Sequence, residues 1–134
     1  MPELAYLNGE IMPIENAAVP VEDRGYNFGD AVYEYVASYN GHLFYLEPHL
    51  DRLEHSMAAL AFPPLPREKI RTAIETLFAE AAIDRAGIYI QISRGVAPRD
   101  HAFPADADLQ FLMILRQVHE KPAVLREKGA AAIT

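Results

Sequence analysis

The sequence predicts an α+β domain, an antiparallel or mixed sheet with two helices packed on one side. Three observations predict it. Strand-like runs stand near both ends of the chain. Two segments with helical spacing follow one another in the middle. Asn-Gly pairs at 8–9 and 40–41 mark hairpins, because both positions of such a turn tolerate positive φ. Strands that enclose two consecutive helices make a sheet with one covered side. The 134 residues, 51% hydrophobic and 23% charged, suit a single globular domain. No repeat, low-complexity tract or domain linker interrupts them.

The elements follow in order. Residues 4–7 read as a short strand, and residues 11–14 as its return, kept at a sheet edge by Pro13. Residues 17–21 read as a further extended piece. The stretch EDRGYNFGDAVYE, residues 22–34, starts with charges, passes Gly25 and Gly29, and launches a strand over 31–39. It reads as a tightly closing loop. Within the strand, Tyr33, Tyr35, Ala37 and Tyr39 share one face, and Val32, Glu34, Val36 and Ser38 the other. Tyr35 and Tyr39 fit either core packing or a site. Tyr33, at the strand's mouth beside the glycines, is expected to serve a site. Residues 42–46 read as the returning strand.

The first helix starts near Glu47 and Pro48, with the proline in the first turn. Leu50, Leu53, Met57 and Leu60 form its apolar stripe, and His49, Arg52 and Ser56 the neighbouring one. Arg52 therefore borders the buried face, and spacing alone reads it as a snorkelling arginine in a surface ion pair. Pro63 and Pro64 break the chain. A second helix, residues 66–82, carries Ile70, Ala73, Ile74, Leu77, Phe78 and Ala81 at i, i+3, i+4, i+7 spacing. Arg67, Glu68, Lys69 and Arg71 read as solvated surface. Residues 87–93 alternate as a half-buried strand and run into a loop over 94–104. Residues 109–115 are apolar on both faces, as in a central strand. Residues 119–128 are polar, and residues 129–134 read as the start of another strand.

Composition excludes several classes of function. The net charge of −7 disfavours nonspecific binding to nucleic acid. With no cysteine there is no disulfide, thiolate metal site or cysteine nucleophile. That absence is compatible with a cytoplasmic location. No apolar run approaches the roughly 20 residues of a membrane helix. The five histidines lack metal-ligand spacing, so no metal site is expected. What remains is a set of anion binders: Arg52 at a helix edge, and Arg94, Arg99 and His101 in one loop. Arginine's planar fork matches carboxylate and phosphate oxygens, which suggests a small anionic ligand. Arg94 fits better as a structural ion-pair partner than as a ligand.

Three motifs carry a family resemblance: EDRGYNFGDAVYE, then HLDRL at 49–53, then SRGVAPRDHAFP at 93–104. In this order and spacing they resemble the N-terminal half of the fold-type IV pyridoxal-phosphate enzymes, the class IV aminotransferases. The third motif is most similar to the D-amino-acid transaminase (D-alanine aminotransferase) group. The resemblance implies that residues 1–134 are an N-terminal domain. It also implies pyridoxal 5'-phosphate as cofactor, with Arg52 on its phosphate. Tyr33, Arg99 and His101 would bind the substrate α-carboxylate, the last two from the other subunit of a homodimer. The reaction implied moves an amino group from a D-amino acid such as D-alanine to a 2-oxo acid such as 2-oxoglutarate.

The sequence departs from the family at Ala31, where relatives often have glycine; alanine costs little there if φ is negative. The family's catalytic lysine would lie beyond Thr134. Lys69, Lys121 and Lys128 do not replace it, so residues 1–134 are expected to be inactive alone. Aminodeoxychorismate lyase and branched-chain aminotransferase share the glycine loop and the HxxRL motif; the Arg99-x-His101 pair favours the D-amino-acid group. A reading of another class is a non-catalytic binding or dimerisation module.

Overall fold

The structure, a computed structural model, describes residues 3–133. Six antiparallel strands form one sheet in the order β2-β1-β6-β5-β3-β4. The strands are β1 (Leu4–Leu7), β2 (Glu10–Pro13), β3 (Ala31–Tyr39), β4 (His42–Leu43), β5 (Ala86–Ser93) and β6 (Gln110–Gln117). The helices are α1 (Arg24–Phe28), α2 (Leu46–Ala59), α3 (Arg67–Ala81) and α4 (Ala123–Lys128). The α+β class holds, and the sheet is antiparallel throughout.

Alternation decides which face of each strand is covered. Val32, Glu34, Val36 and Ser38 are buried, as are Ile88, Ile90 and Ile92 of β5 and Phe111, Met113 and Leu115 of β6. Onto this face pack α2, over β3, and α3, over β1 and β6. Their inward stripes, Leu50, Leu53 and Met57 on α2 and Ile70, Ile74 and Leu77 on α3, are also buried. Each such side chain contributes roughly 1.5–3 kcal/mol relative to exposure. Across the helices Arg67 pairs with Asp51 and Arg71 with Glu47. These cations thus do more than line solvated surface, although exposed pairs of this kind add little stability.

The opposite face of the sheet is open. Tyr33, Tyr35 and Tyr39 project from it at 66%, 49% and 48% exposure, so the two later tyrosines are not core residues. Leu112 and Ile114 of β6 are only half-buried there, which explains why this central strand is apolar on both faces.

Several segments differ from expectation. Residues 17–21, which follow the short 3-10 turn Ile14–Asn16, form no strand. The return after the second Asn-Gly turn is only two residues long, since Leu46 already starts α2. Leu60 falls just past the end of that helix and is 40% exposed, so it does not extend the stripe. Part of the polar segment after β6 is helical, as α4, and it buries nothing. Residues 129–133 form no strand, and Thr134 lies outside the described residues.

Candidate active site

The glycine stretch holds a short helix, where a loop alone is expected. Asp23 caps it, accepting from the Gly25 N–H at 2.8 Å, and Gly29 ends it in the left-handed region at φ 64°. That conformation is the reason for a glycine at 29. At Gly25 the reason is space: a Cβ would stand 3.0 Å from Cβ of Ser93. The Ser93 hydroxyl donates to the second oxygen of Asp23 at 2.9 Å. The Arg24 N–H donates to the Gly95 carbonyl at 2.8 Å, and the Arg94 N–H to the Asp30 carbonyl at 3.1 Å. Thus α1 is sewn to the end of β5, and the two services of the glycines, close approach and a sharp stop, fix where β3 begins. Ala31 opens that strand with negative φ, so it needs no glycine.

Two carboxylates organise the arginines of this region, Asp30 with its side chain 9% exposed and the buried Glu34. Asp30 accepts from Nε of Arg24 and Nε of Arg94 on the same oxygen, each at 2.8 Å. Both arginine side chains are 3% exposed. Arg94 also donates to the carbonyls of Leu60 at 2.7 Å and Ala61 at 3.3 Å, which makes it a structural ion-pair partner. Burial alone would raise the Asp30 pKa, but Arg94 and Arg24 outweigh it and hold the carboxyl below its usual range.

Glu34, on the helix-covered face of β3, is the second. It takes two hydrogen bonds from Arg52, Nε at 2.6 Å and Nη2 at 2.7 Å, and one contact at 2.8 Å from Nδ1 of His49. Burial again works against the carboxylate, and Arg52 followed by His49 more than compensates, so its pKa also lies low. Glu34 is 2% exposed while the Arg52 side chain is 67% exposed. The surface ion pair read from spacing is therefore a pair with a buried partner. One fork edge of Arg52 is held inward, and among the described residues its Nη1 makes no hydrogen bond. Nη1 on a fixed, exposed guanidinium suits a phosphate oxygen.

The remaining expected site residues fall into two further groups. Tyr33 sits on the open face, stacked on Tyr89 with ring centroids 5.8 Å apart. Burial, with Tyr33 nearby, raises the Tyr89 pKa. Arg99 and His101 are exposed and meet at Phe28, the guanidinium 5.0 Å and the imidazole 5.5 Å from its ring centre. Among the described residues no hydrogen bond, ion pair or ring contact joins Arg52, Tyr33 and the Arg99–His101 pair to one another. Clefts of about 510 Å³ beside Tyr6 and about 650 Å³ beside Tyr39 are lined by none of these four.

Sequence reasoning passed over Glu34, His49 and Arg24. A signal existed for Glu34, a charged residue on the apolar side of a strand alternation, since buried charges are almost always paired. His49 lies one helical step from Arg52 on the same stripe. For Arg24 the sequence carries no comparable sign.

Comparison with known proteins bears on the family and the fold. Residues 31–132 match the family model described as amino-transferase class IV. The D-alanine aminotransferase of Staphylococcus epidermidis is 36% identical over 130 residues, 96% of this chain and 46% of that protein. The chain thus spans about half the length of this curated relative. The 4-amino-4-deoxychorismate lyase structure from Pseudomonas aeruginosa superposes with a TM-score of 0.75 at 28% identity, covering 93% of this chain and 44% of that one. The branched-chain amino acid aminotransferase from Escherichia coli gives 0.80 at 21% identity, over 88% of this chain and 42% of that one, a likeness of fold. Since the match runs through β3, the Arg52 helix and the Arg99–His101 loop, the chain belongs to the class IV aminotransferase family.

Proposed function

We propose that residues 1–134 form the N-terminal domain of a cytoplasmic, pyridoxal-phosphate-dependent D-amino-acid transaminase that works as a homodimer. The observation that carries this reading is the exposed Arg52 guanidinium, locked along one edge by buried Glu34. Arg52 holds the cofactor phosphate through Nη1, and Glu34 with His49 keeps the fork from turning away. When bound, pyridoxal phosphate supplies the electron sink that stabilises charge at the substrate Cα.

Tyr33, Arg99 and His101 receive the substrate α-carboxylate. Tyr33 stacks on Tyr89 while His101 and Arg99 meet at Phe28, and this division of partners supports a site completed across the dimer. Fixing the carboxylate fixes which side of the Cα–H bond faces the base, and hence selectivity for the D-enantiomer. The likeness in sequence to D-alanine aminotransferase supports D-alanine as donor and a 2-oxo acid such as 2-oxoglutarate as acceptor. Aminodeoxychorismate lyase is a second reading, favoured by the fold match to that enzyme.

The test is a coupled assay on the full-length protein with D-alanine, L-leucine and aminodeoxychorismate. Turnover of D-alanine with 2-oxoglutarate is expected; activity on L-leucine alone, or release of 4-aminobenzoate and pyruvate from aminodeoxychorismate, overturns the assignment. In parallel, Arg52→Gln weakens cofactor binding about 10- to 100-fold by absorbance titration, the loss of one charge-assisted bond. Full-length protein that binds no cofactor would instead be a binding module.

A further inference from the structure

We infer that Arg24 is a positioning residue that sets the segment carrying Arg99 and His101, and thereby the direction from which a carboxylate is received. This rests on the carboxylate role proposed above for those two residues. The observation behind it is a scarcity of contacts. Among the described residues no backbone–backbone hydrogen bond involves residues 98–107. One hydrogen bond reaches that segment from the rest of the molecule, from Nη1 of Arg24 to the Asp100 carbonyl at 2.6 Å. The Asp100 carbonyl lies in the peptide plane that joins Asp100 to His101, so holding it fixes the plane that His101 leaves and the residue that follows Arg99.

The tether itself is rigid. Arg24 is 3% exposed, its Nε is bonded to Asp30, and Asp30 is held a second time by Arg94. The Arg24 guanidinium lies 4.7 Å from the centre of the Phe28 ring, the same ring that Arg99 and His101 approach. Phe103, just past His101, is covered by Arg94 at 3.6 Å and by Arg24 at 5.9 Å. A guanidinium can bond the carboxylate through Nε and the carbonyl through Nη1 at once; an ammonium is a point charge and cannot span both. Arg24 thus couples Asp30, just before the strand launched at Ala31, to the segment that carries Arg99 and His101.

The experiment uses the full-length protein loaded with pyridoxal phosphate and the variant Arg24→Lys, which keeps a cation beside Asp30. Hydrogen exchange of the Ala102 amide, which donates to Oδ1 of Asp100 at 3.1 Å and is the one bonded N–H of the segment among the described residues, speeds up about tenfold, while exchange in β5 stays within about twofold. KM for D-alanine rises about tenfold with kcat within about twofold, the signature of weakened uniform binding. Arg99→Gln is measured beside it. If Arg99→Gln raises KM and Arg24→Lys changes neither exchange nor KM, the positioning role is overturned and the carboxylate reading stands. If exchange loosens but neither variant alters KM, the carboxylate reading itself is overturned. Faster exchange spread equally through β5 overturns the proposal too, since Arg24 would then serve only the fold. Should Arg24→Lys not fold, Phe103→Ala decides, at a ring that is 59% exposed. It gives the same pattern at about threefold, and its failure to do so overturns the inference.

Discussion

Asp30 and Glu34 are both carboxylates paired with arginine, and both have depressed pKa values, but their arginines end in different places. Around Asp30 every partner is inside: two guanidiniums, each 3% exposed, converge on one oxygen, and the rings of Phe28, Phe62 and Phe103 lie against them. Around Glu34 only the carboxylate is inside, and the guanidinium it holds stands in solvent. The first arrangement closes a structure, fastening the start of β3 to the loop after β5. The second presents a charge, holding a cation still while leaving one nitrogen for something else. The same ion pair therefore reads as scaffold or as site according to where the positive end lies.

Removing each carboxylate is the sharpest way to break that contrast. Asp30→Asn leaves two buried guanidiniums without a counterion, and a loss of about 3–5 kcal/mol is expected in a denaturant melt. A loss comparable to that of an exposed pair would erase the distinction. Glu34→Gln costs less, about 1–2 kcal/mol, because Arg52 is already solvated once released. Its larger consequence is functional: weaker binding of pyridoxal phosphate with Arg52 still present, read by absorbance titration of the full-length protein.

The pH dependence follows from the same two groups. Their folded pKa values lie below the unfolded ones, about 3.9 for Asp and 4.3 for Glu. The stability they contribute is complete above about pH 5 and is lost as pH falls through the folded values. Urea midpoints measured from pH 6 down to 3 should decline, and in Glu34→Gln the decline should be shallower. An unchanged slope would mean that Glu34 is not held as its contacts imply. The smallest effect expected is that of Tyr33→Phe. The ring keeps its stack on Tyr89, so the melting curve should not move, while KM for D-alanine rises about three- to tenfold through the lost hydroxyl.

Much of the fold was legible because burial follows local period. The alternation in β3 and β5 and the stripes of α2 and α3 are properties of short segments, and the covered faces agree with them. The failures lie where length or context decides. The two-residue β4 gives way to a helix that starts early, and residues 129–133, read as the start of a strand, form none among the described residues. Of the site, the anion-binding residue types were visible, and Glu34 was visible as a charge in an apolar pattern without its partner being nameable.

By itself the sequence determined the α+β class, the hairpin turns at its two Asn-Gly pairs, the inward faces of strands and helices, and the family. Each depends on neighbours within a few positions or on motifs in fixed order. Only the tertiary structure decided that Arg52 is gripped by Glu34, that Arg94 and Arg24 share Asp30, and that Arg24 holds the carbonyl between Arg99 and His101. The Arg52, Arg94 and Asp100 contacts join residues 18, 64 and 76 positions apart. At such separations the partner of a charge is set by how the chain packs, and no local pattern records it.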